Sequence, residues 1–351
     1  MSTAKCLWNI PSGTIHLRSS TDESIFDPSF GQAMRKAALL YNPDSGGRPG
    51  KRLHELEAAL RVLQRGGVDA ELIAAESPDH AGEAARQAIA SGCDTVFACG
   101  GDGTIHNIVQ VLANSPAALA ILPMGTANAL AHDLGIPRNI TAAARAALYG
   151  QPRRIALGRV EYLDLQGKSG ARYFIMAAGI GVDAHLFYKL HSGTKQRMGM
   201  TAYYAKAWNL WFTYSMTRFA VEYQQIGTLD RKTADVTELM SVRIRNFGGV
   251  VQELAPGASL DRDDMRLVVC RSASRVAYLA YVTRGLLRLP WNIPGIDLVH
   301  CTRASCRYQQ HSPASNAPRK IYVEADGELL GTLPAEMTVV PNALTLLAPS
   351  R

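Results

Sequence analysis

The chain has 351 residues, of which 47% are apolar and 19% charged; this is enough to bury two substantial cores and excludes a disordered or collagen-like polymer. Lysine and arginine number 37 against 30 acidic residues, a formal charge of +7 that favours anionic partners. No run of five basic residues and no RNA- or DNA-reading motif accompanies that charge, which argues against nucleic acid.

Residues 1–35 are polar and unpatterned and are expected to form an extension. Ala37–Tyr41 reads as a strand, stopped by the turn residues 42–47. Leu53, Leu56, Leu60 and Leu63 then mark an amphipathic helix that ends at Gly66-Gly67. Val68–Ala74 reads as a strand and Asp79–Ala90 as a helix with Asp79 as its cap. Asp94–Cys99 is an apolar strand, and Ile105, Ile108, Val109 and Leu112 have helical spacing. Ala118–Leu122 is a fourth strand. Strands alternating with helices predict a parallel sheet covered on both faces, whose ligands bind beyond the carboxyl ends of the strands. The fold class expected is therefore an α/β nucleotide-binding domain over 36–152.

Beyond Gly150 the texture changes to short strands between turns: 154–160, 173–177, 220–223, 240–244, 265–269, 320–324 and 336–340. This predicts a mainly antiparallel, β-rich domain over 153–351, whose last residues return to the first. Helical stretches interrupt it near 199–218 and 274–289, and 164–171 and 309–318 read as loops. Met1–Pro11 has no continuous apolar core, so no secretory leader is expected, and Ala207–Met216 is too short and polar to span a bilayer. Cys6, Cys93, Cys99, Cys270, Cys301 and Cys306 show no CxxC pair or zinc-like spacing, and read as reduced thiols of a cytoplasmic protein.

Chemistry concentrates at Gly100-Gly101-Asp102-Gly103-Thr104, between a buried strand and a helix start. Glycines let backbone approach an anion, and the N–H groups of the helix start point at it. A carboxylate in such a cradle would repel phosphate unless a divalent cation stood between them, so Asp102 points to a Mg²⁺–nucleotide. The other reading is a tight turn with no ligand. A second acidic segment, Glu324-Ala-Asp-Gly-Glu328, has Asp326 and Glu328 alternating along an apparent strand, so that both face one side. Its Asp-Gly pair between apolar flanks equally suits a hairpin turn.

These landmarks together resemble the diacylglycerol kinase catalytic-domain family, which includes sphingosine kinases and bacterial lipid kinases. The similarity runs from about Ala38 to Pro349, through Asn42-Pro43, Ser45-Gly46, Gly100–Thr104, Pro123, Gly125-Thr126, Asn128, Ala178–Ala184, Asn246, Ala255-Pro256 and Glu324–Glu328 in order. The resemblance implies ATP-dependent phosphorylation of a lipid hydroxyl in a cleft between two domains. By position it implies that Asn42, Ser45, Gly100, Gly101, Gly103, Thr104, Gly125, Thr126 and Asn128 line the ATP site. It implies Asp102 acting through Mg²⁺, Asp326 as general base and Glu328 as a metal or positioning carboxylate.

The chain also departs from the family pattern. Ala129, Ala156 and Arg266 stand where acidic residues are common, and His106-Asn107 where Asn-Glu is. Asp261-Arg262-Asp263-Asp264 replaces a turn whose acidic residues hold an accessory Mg²⁺ in some relatives. Asp261 is the candidate ligand left, and arginine cannot ligate a metal. A lipid substrate implies peripheral membrane contact, for which the arginines and aromatics of Val276–Trp291 are the candidate rim. Which lipid is phosphorylated and how the chain oligomerises are not legible. Two other functions fit part of the pattern: an NAD kinase, which shares the glycine turn and the two-domain layout, and a nucleotide- or lipid-binding regulator without turnover.

Overall fold

The computed structural model describes residues 34–43, 49–182, 184, 216–228, 230–248, 253–287, 289, 292–309 and 320–349. Ala33–Arg351 forms one compact unit. Four strands open it: β1 Lys36–Tyr41, β2 Asp69–Ala74, β3 Thr95–Gly100 and β4 Ala118–Pro123, paired in parallel in the order β2-β1-β3-β4. The helices α1 Pro49–Arg65, α2 Pro78–Ala90, α3 Asp102–Leu112, α4 Ala129–Asp133 and α5 Ile140–Leu148 follow them. α1 packs on α5 and α2 on α3. The predicted parallel α/β sheet is thus present, its strands buried as continuous apolar runs.

Two boundaries differ from expectation for local reasons. α2 is capped by Ser77, not Asp79: the Ser77 Oγ accepts from the His80 N–H at 3.2 Å, and Pro78 occupies the first turn, where its missing N–H costs nothing. α3 begins at Asp102 rather than Ile105, so the glycine turn is itself the start of the helix.

The later strands are β5 Gln151–Leu163, β6 Ser169–Phe174, β7 Ala177–Gly181, β8 Phe219–Gln225, β9 Arg231–Val236, β10 Glu238–Val242, β11 Met265–Cys270, β12 Ile296–Arg307, β13 Tyr322–Ala325 and β14 Glu328–Ala348. Helix α6, Arg275–Leu287, lies between β11 and β12. Pairing is antiparallel from β14 through β13, β7, β10, β11 and β12, and β12 returns to β14, so these strands close on themselves around an apolar interior. β14 is long enough to serve both regions: Glu336–Ala348 runs beside β5, and Thr345 and Leu346 pair in parallel with Ala118 and Leu119 of β4. One 14-stranded sheet therefore runs through the whole unit.

Two segments differ from expectation. The expected strand 173–177 is two strands, β6 and β7, because the N–H groups between them bond to a carboxylate instead of a neighbouring strand. The expected loop 164–171 already includes the start of β6. The predicted helix near 199–218 lies almost wholly outside the described residues, as does the 309–318 loop. Among the described residues no helix is long and apolar enough to cross a membrane, and Cys93, Cys99, Cys270, Cys301 and Cys306 are free thiols, all buried.

Candidate active site

Gly101 caps α3 at the carboxyl end of β3 and, being glycine, offers no side chain to the first-turn N–H groups. The turn has no room for side chains. A Cβ on Gly100 would lie 2.8 Å from the Thr104 Cβ, and one on Gly125 would lie 2.5 Å from the Gly101 Cα. The 100–104 and 123–128 turns thus touch backbone to backbone. Asn128 holds the second turn in shape: its φ of +50° is left-handed, its Oδ1 accepts from the Gly125 N–H and its Nδ2 donates to the Gly125 carbonyl, both at 2.8 Å. Thr126 sits exposed at the tip. Asn42 and Thr104 line one small cavity at the end of β1. Ser45 lies outside the described residues. Gly125→Ala is expected to destabilise the protein by about 1–3 kcal/mol, as overpacking against rigid backbone does. Thermal denaturation checks it, and an unchanged midpoint would mean that the two turns have slack.

Asp102 stands in the first turn of α3, where the helix dipole favours an acid. Its carboxylate accepts from the N–H groups of Ala129 and Leu130 at 3.2 and 3.4 Å, tying the glycine turn to α4. Burial raises its pKa above the ordinary carboxylate value. The two N–H bonds oppose that shift, and the charge of Asp326 adds to it. Ala129 therefore contributes a backbone donor at a position where the family often has an acid.

Asp326 is not on a strand with Glu328. It is the first residue of a two-residue turn between β13 and β14, with φ of +48° followed by +85° at Gly327, and Ala325 pairs with Glu328. Positive φ at both turn positions is the twist that a tight hairpin needs, so the hairpin reading of the sequence describes this segment. The turn aims Asp326 inward. Its side chain has no exposed surface. The Ile175, Met176 and Ala177 N–H groups donate to it at 3.0, 2.9 and 3.0 Å. His106, one turn into α3 and 4% exposed, lies against it with Nδ1 at 3.4 Å from Oδ2. Glu328 reaches the glycine turn from the other side of the hairpin, its Oε1 lying 3.4 Å from where a Cβ on Gly103 would be. The structure thus gathers Gly100, Gly101, Asp102, Gly103, Thr104, Gly125, Asn128, Asp326 and Glu328 at one place, with Asn42 beside them.

His106 is the member that sequence reasoning did not assign. It stands out there only as a residue of unusual identity next to the glycine turn. Asp261, by contrast, is elsewhere. It pairs with Arg153 and Arg245, and its neighbour Asp264 bonds Arg262 and the His300 Nδ1. Burial alone would raise the Asp264 carboxyl, but the bonds from Arg262 and His300 hold it below the ordinary value. Cations of the chain itself, then, neutralise this turn, and no cluster of three or more His, Cys, Asp or Glu suited to a metal occurs among the described residues.

Residues 36–160 match the family described as the diacylglycerol kinase catalytic domain. A Bacillus subtilis (strain 168) protein named diacylglycerol kinase is 29% identical over 320 residues, covering 90% of this chain and 97% of that protein. One of the same name from Staphylococcus aureus (strain bovine RF122 / ET3-1) is 26% identical over 319 residues, covering 90% and 93%. The crystal structure of a diacylglycerol kinase from Bacillus anthracis str. Sterne is similar in fold, with a TM-score of 0.64 at 19% identity over 90% of this chain and 97% of that one.

Proposed function

Because the chain belongs to the diacylglycerol kinase catalytic-domain family, we propose that it is a lipid kinase that transfers the γ-phosphoryl group of ATP to a lipid hydroxyl, with diacylglycerol or a related lipid as acceptor. The observation that carries this reading is the meeting of two glycine turns with Asp102, Glu328 and the His106–Asp326 pair. Phosphoryl transfer is largely positioning and charge neutralisation, with one proton to remove from the acceptor. The glycine backbone and the first turn of α3 hold the phosphates. Asp102 and Glu328 are two hard-oxygen carboxylates, the number that suits Mg²⁺ bound jointly with substrate phosphates. They would hold that ion, which supplies neutralisation of the phosphate charge.

The acceptor's proton goes to the His106–Asp326 pair. Both Asp326 oxygens already accept hydrogen bonds and its side chain has no exposed surface, whereas the His106 side chain is 4% exposed, so Asp326 works as the base through His106. Residues 36–152 serve the nucleotide and 153–351 the lipid, in a cleft between them, and the protein acts at the cytoplasmic membrane surface. The test is incubation with γ-labelled ATP and Mg²⁺ against diacylglycerol, sphingoid base, ceramide and NAD⁺. Label is expected in a lipid, and diacylglycerol to be phosphorylated most rapidly. Label in NADP, or nucleotide binding with no product from any acceptor, overturns the reading.

A further inference from the structure

A cavity of about 910 Å³ opens among β8, β9, β11, β12 and α6, and none of the candidate active-site residues lines it. Among the described residues its walls are cationic: Lys232, Arg266, Arg271 and Arg284 line it against a single carboxylate, Asp297, which Arg271 already pairs with at 2.8 Å. Arg284 is 6% exposed. One of its terminal nitrogens donates to the Leu254 carbonyl at 3.1 Å and its guanidinium lies 4.8 Å from the Tyr281 ring centre. Its Nε has no partner among the described residues. The Arg266 Nε is likewise buried and without a partner, and its guanidinium makes no hydrogen bond or ion pair among the described residues. The acid whose charge acts on it, Asp264, is already bonded to Arg262 and His300.

Both arginines line one cavity, and each carries a buried Nε–H that has no partner among the described residues, so neither guanidinium is fully neutralised by the protein itself, which is costly without a further acceptor. Guanidinium forks match the planar and tetrahedral oxygens of carboxylate and phosphate, and do so best where water is excluded. The volume suits a small organic ligand rather than a lone ion. We propose that this cavity is a second, non-catalytic binding site for a phosphate-bearing ligand, gripped by Arg266 and Arg284, with Arg271 and Lys232 adding positive charge around it. A phospholipid headgroup and a soluble phosphate compound offer the same chemistry. The site does not depend on the kinase reading, because it shares no residue with the glycine turns.

The experiment is calorimetric titration of the full chain, wild type, R266Q and R284Q, with three probes: inorganic phosphate, water-soluble short-chain phosphatidic acid, and phosphatidylglycerol vesicles. Wild type is expected to show a binding event that each variant weakens at least tenfold, while any binding at the glycine turns is common to all three proteins. Weakening seen with vesicles or phosphatidic acid but not with inorganic phosphate supports a headgroup as the source, and weakening with all three supports phosphate itself. R266Q removes a half-buried cation that makes no hydrogen bond among the described residues and interacts with Asp264 only through space, so its ligand-free melting temperature is expected to stay close to wild type, which keeps the comparison free of unfolding. Titrations that are indistinguishable across the three proteins, or that show no binding in any of them, overturn the proposal.

Discussion

Replacing Asp102 with asparagine is expected to cut lipid phosphorylation by about a hundredfold or more, the scale on which a preorganised electrostatic group acts, while leaving the melting temperature unchanged or slightly raised. The physical reason is that Asp102 is a stability cost. Burial, helped by the charge of Asp326, puts its folded-state pKa above the ordinary carboxylate value. A raised pKa means that the folded chain holds the proton more tightly than the unfolded chain. The resulting stabilisation is complete below the unfolded pKa and is lost as pH rises through the folded one, so at neutral pH the ionised side chain works against folding. Asparagine removes the charge and keeps an acceptor for only one of the Ala129 and Leu130 N–H groups, so relief of the buried charge offsets the lost, long hydrogen bond. A structural residue behaves in the opposite way. Differential scanning calorimetry beside the kinase assay separates the two: a fall of several degrees with turnover intact would mark Asp102 as a structural tie between the glycine turn and α4.

Asp326 and His106 should part company in the same pair of measurements. Asp326→Asn removes an acceptor from buried backbone N–H groups of residues 175–177, and a buried donor left unsatisfied costs about 1–3 kcal/mol. At about 2–4 °C for each kcal/mol in a chain of this class, the melting temperature should fall by several degrees. Turnover should fall as well, so this variant alone cannot distinguish a base from a brace. His106→Gln can. It leaves the three N–H bonds in place and removes the ring that lies between the buried carboxylate and the acceptor in the proposed reaction. Its kcat is expected to fall by about 10²–10⁴, the usual contribution of a general base, with the melting temperature within about 2 °C of wild type. If H106Q keeps turnover to within threefold, the proton passes to Asp326 without His106, and the relay is wrong.

Most of the local architecture around the site was readable from residue order. An apolar run, a glycine turn and an amphipathic helix identify β3, the cradle and α3, because burial and helical period repeat over a few residues. Gly125 and Asn128 were likewise visible as turn chemistry, and the structure adds only that the Gly125 turn lies against Gly101. The Glu324–Glu328 segment shows where such reading stops. Alternation suggested a strand with two carboxylates on one face, whereas Asp-Gly obeyed its own preference for left-handed dihedrals and made a turn. A local signal stronger than strand period decided the backbone there.

What the sequence determined by itself is the set of elements that depend on neighbours in the chain: the alternating strands and helices of the first half, the glycine cradle, the tight turn at Asp326 and the likeness to a kinase family. What those groups face is set by long-range packing. Asp326 meets the N–H groups of residues 175–177 and the ring of His106, up to 220 positions away. Asp261 meets Arg153 and Arg245, and two arginines whose Nε has no acceptor among the described residues line one cavity. Those meetings follow from strand order and from the closure of β12 onto β14. Order and closure depend on how apolar faces are buried across the whole sheet, and no window of a few residues contains that information.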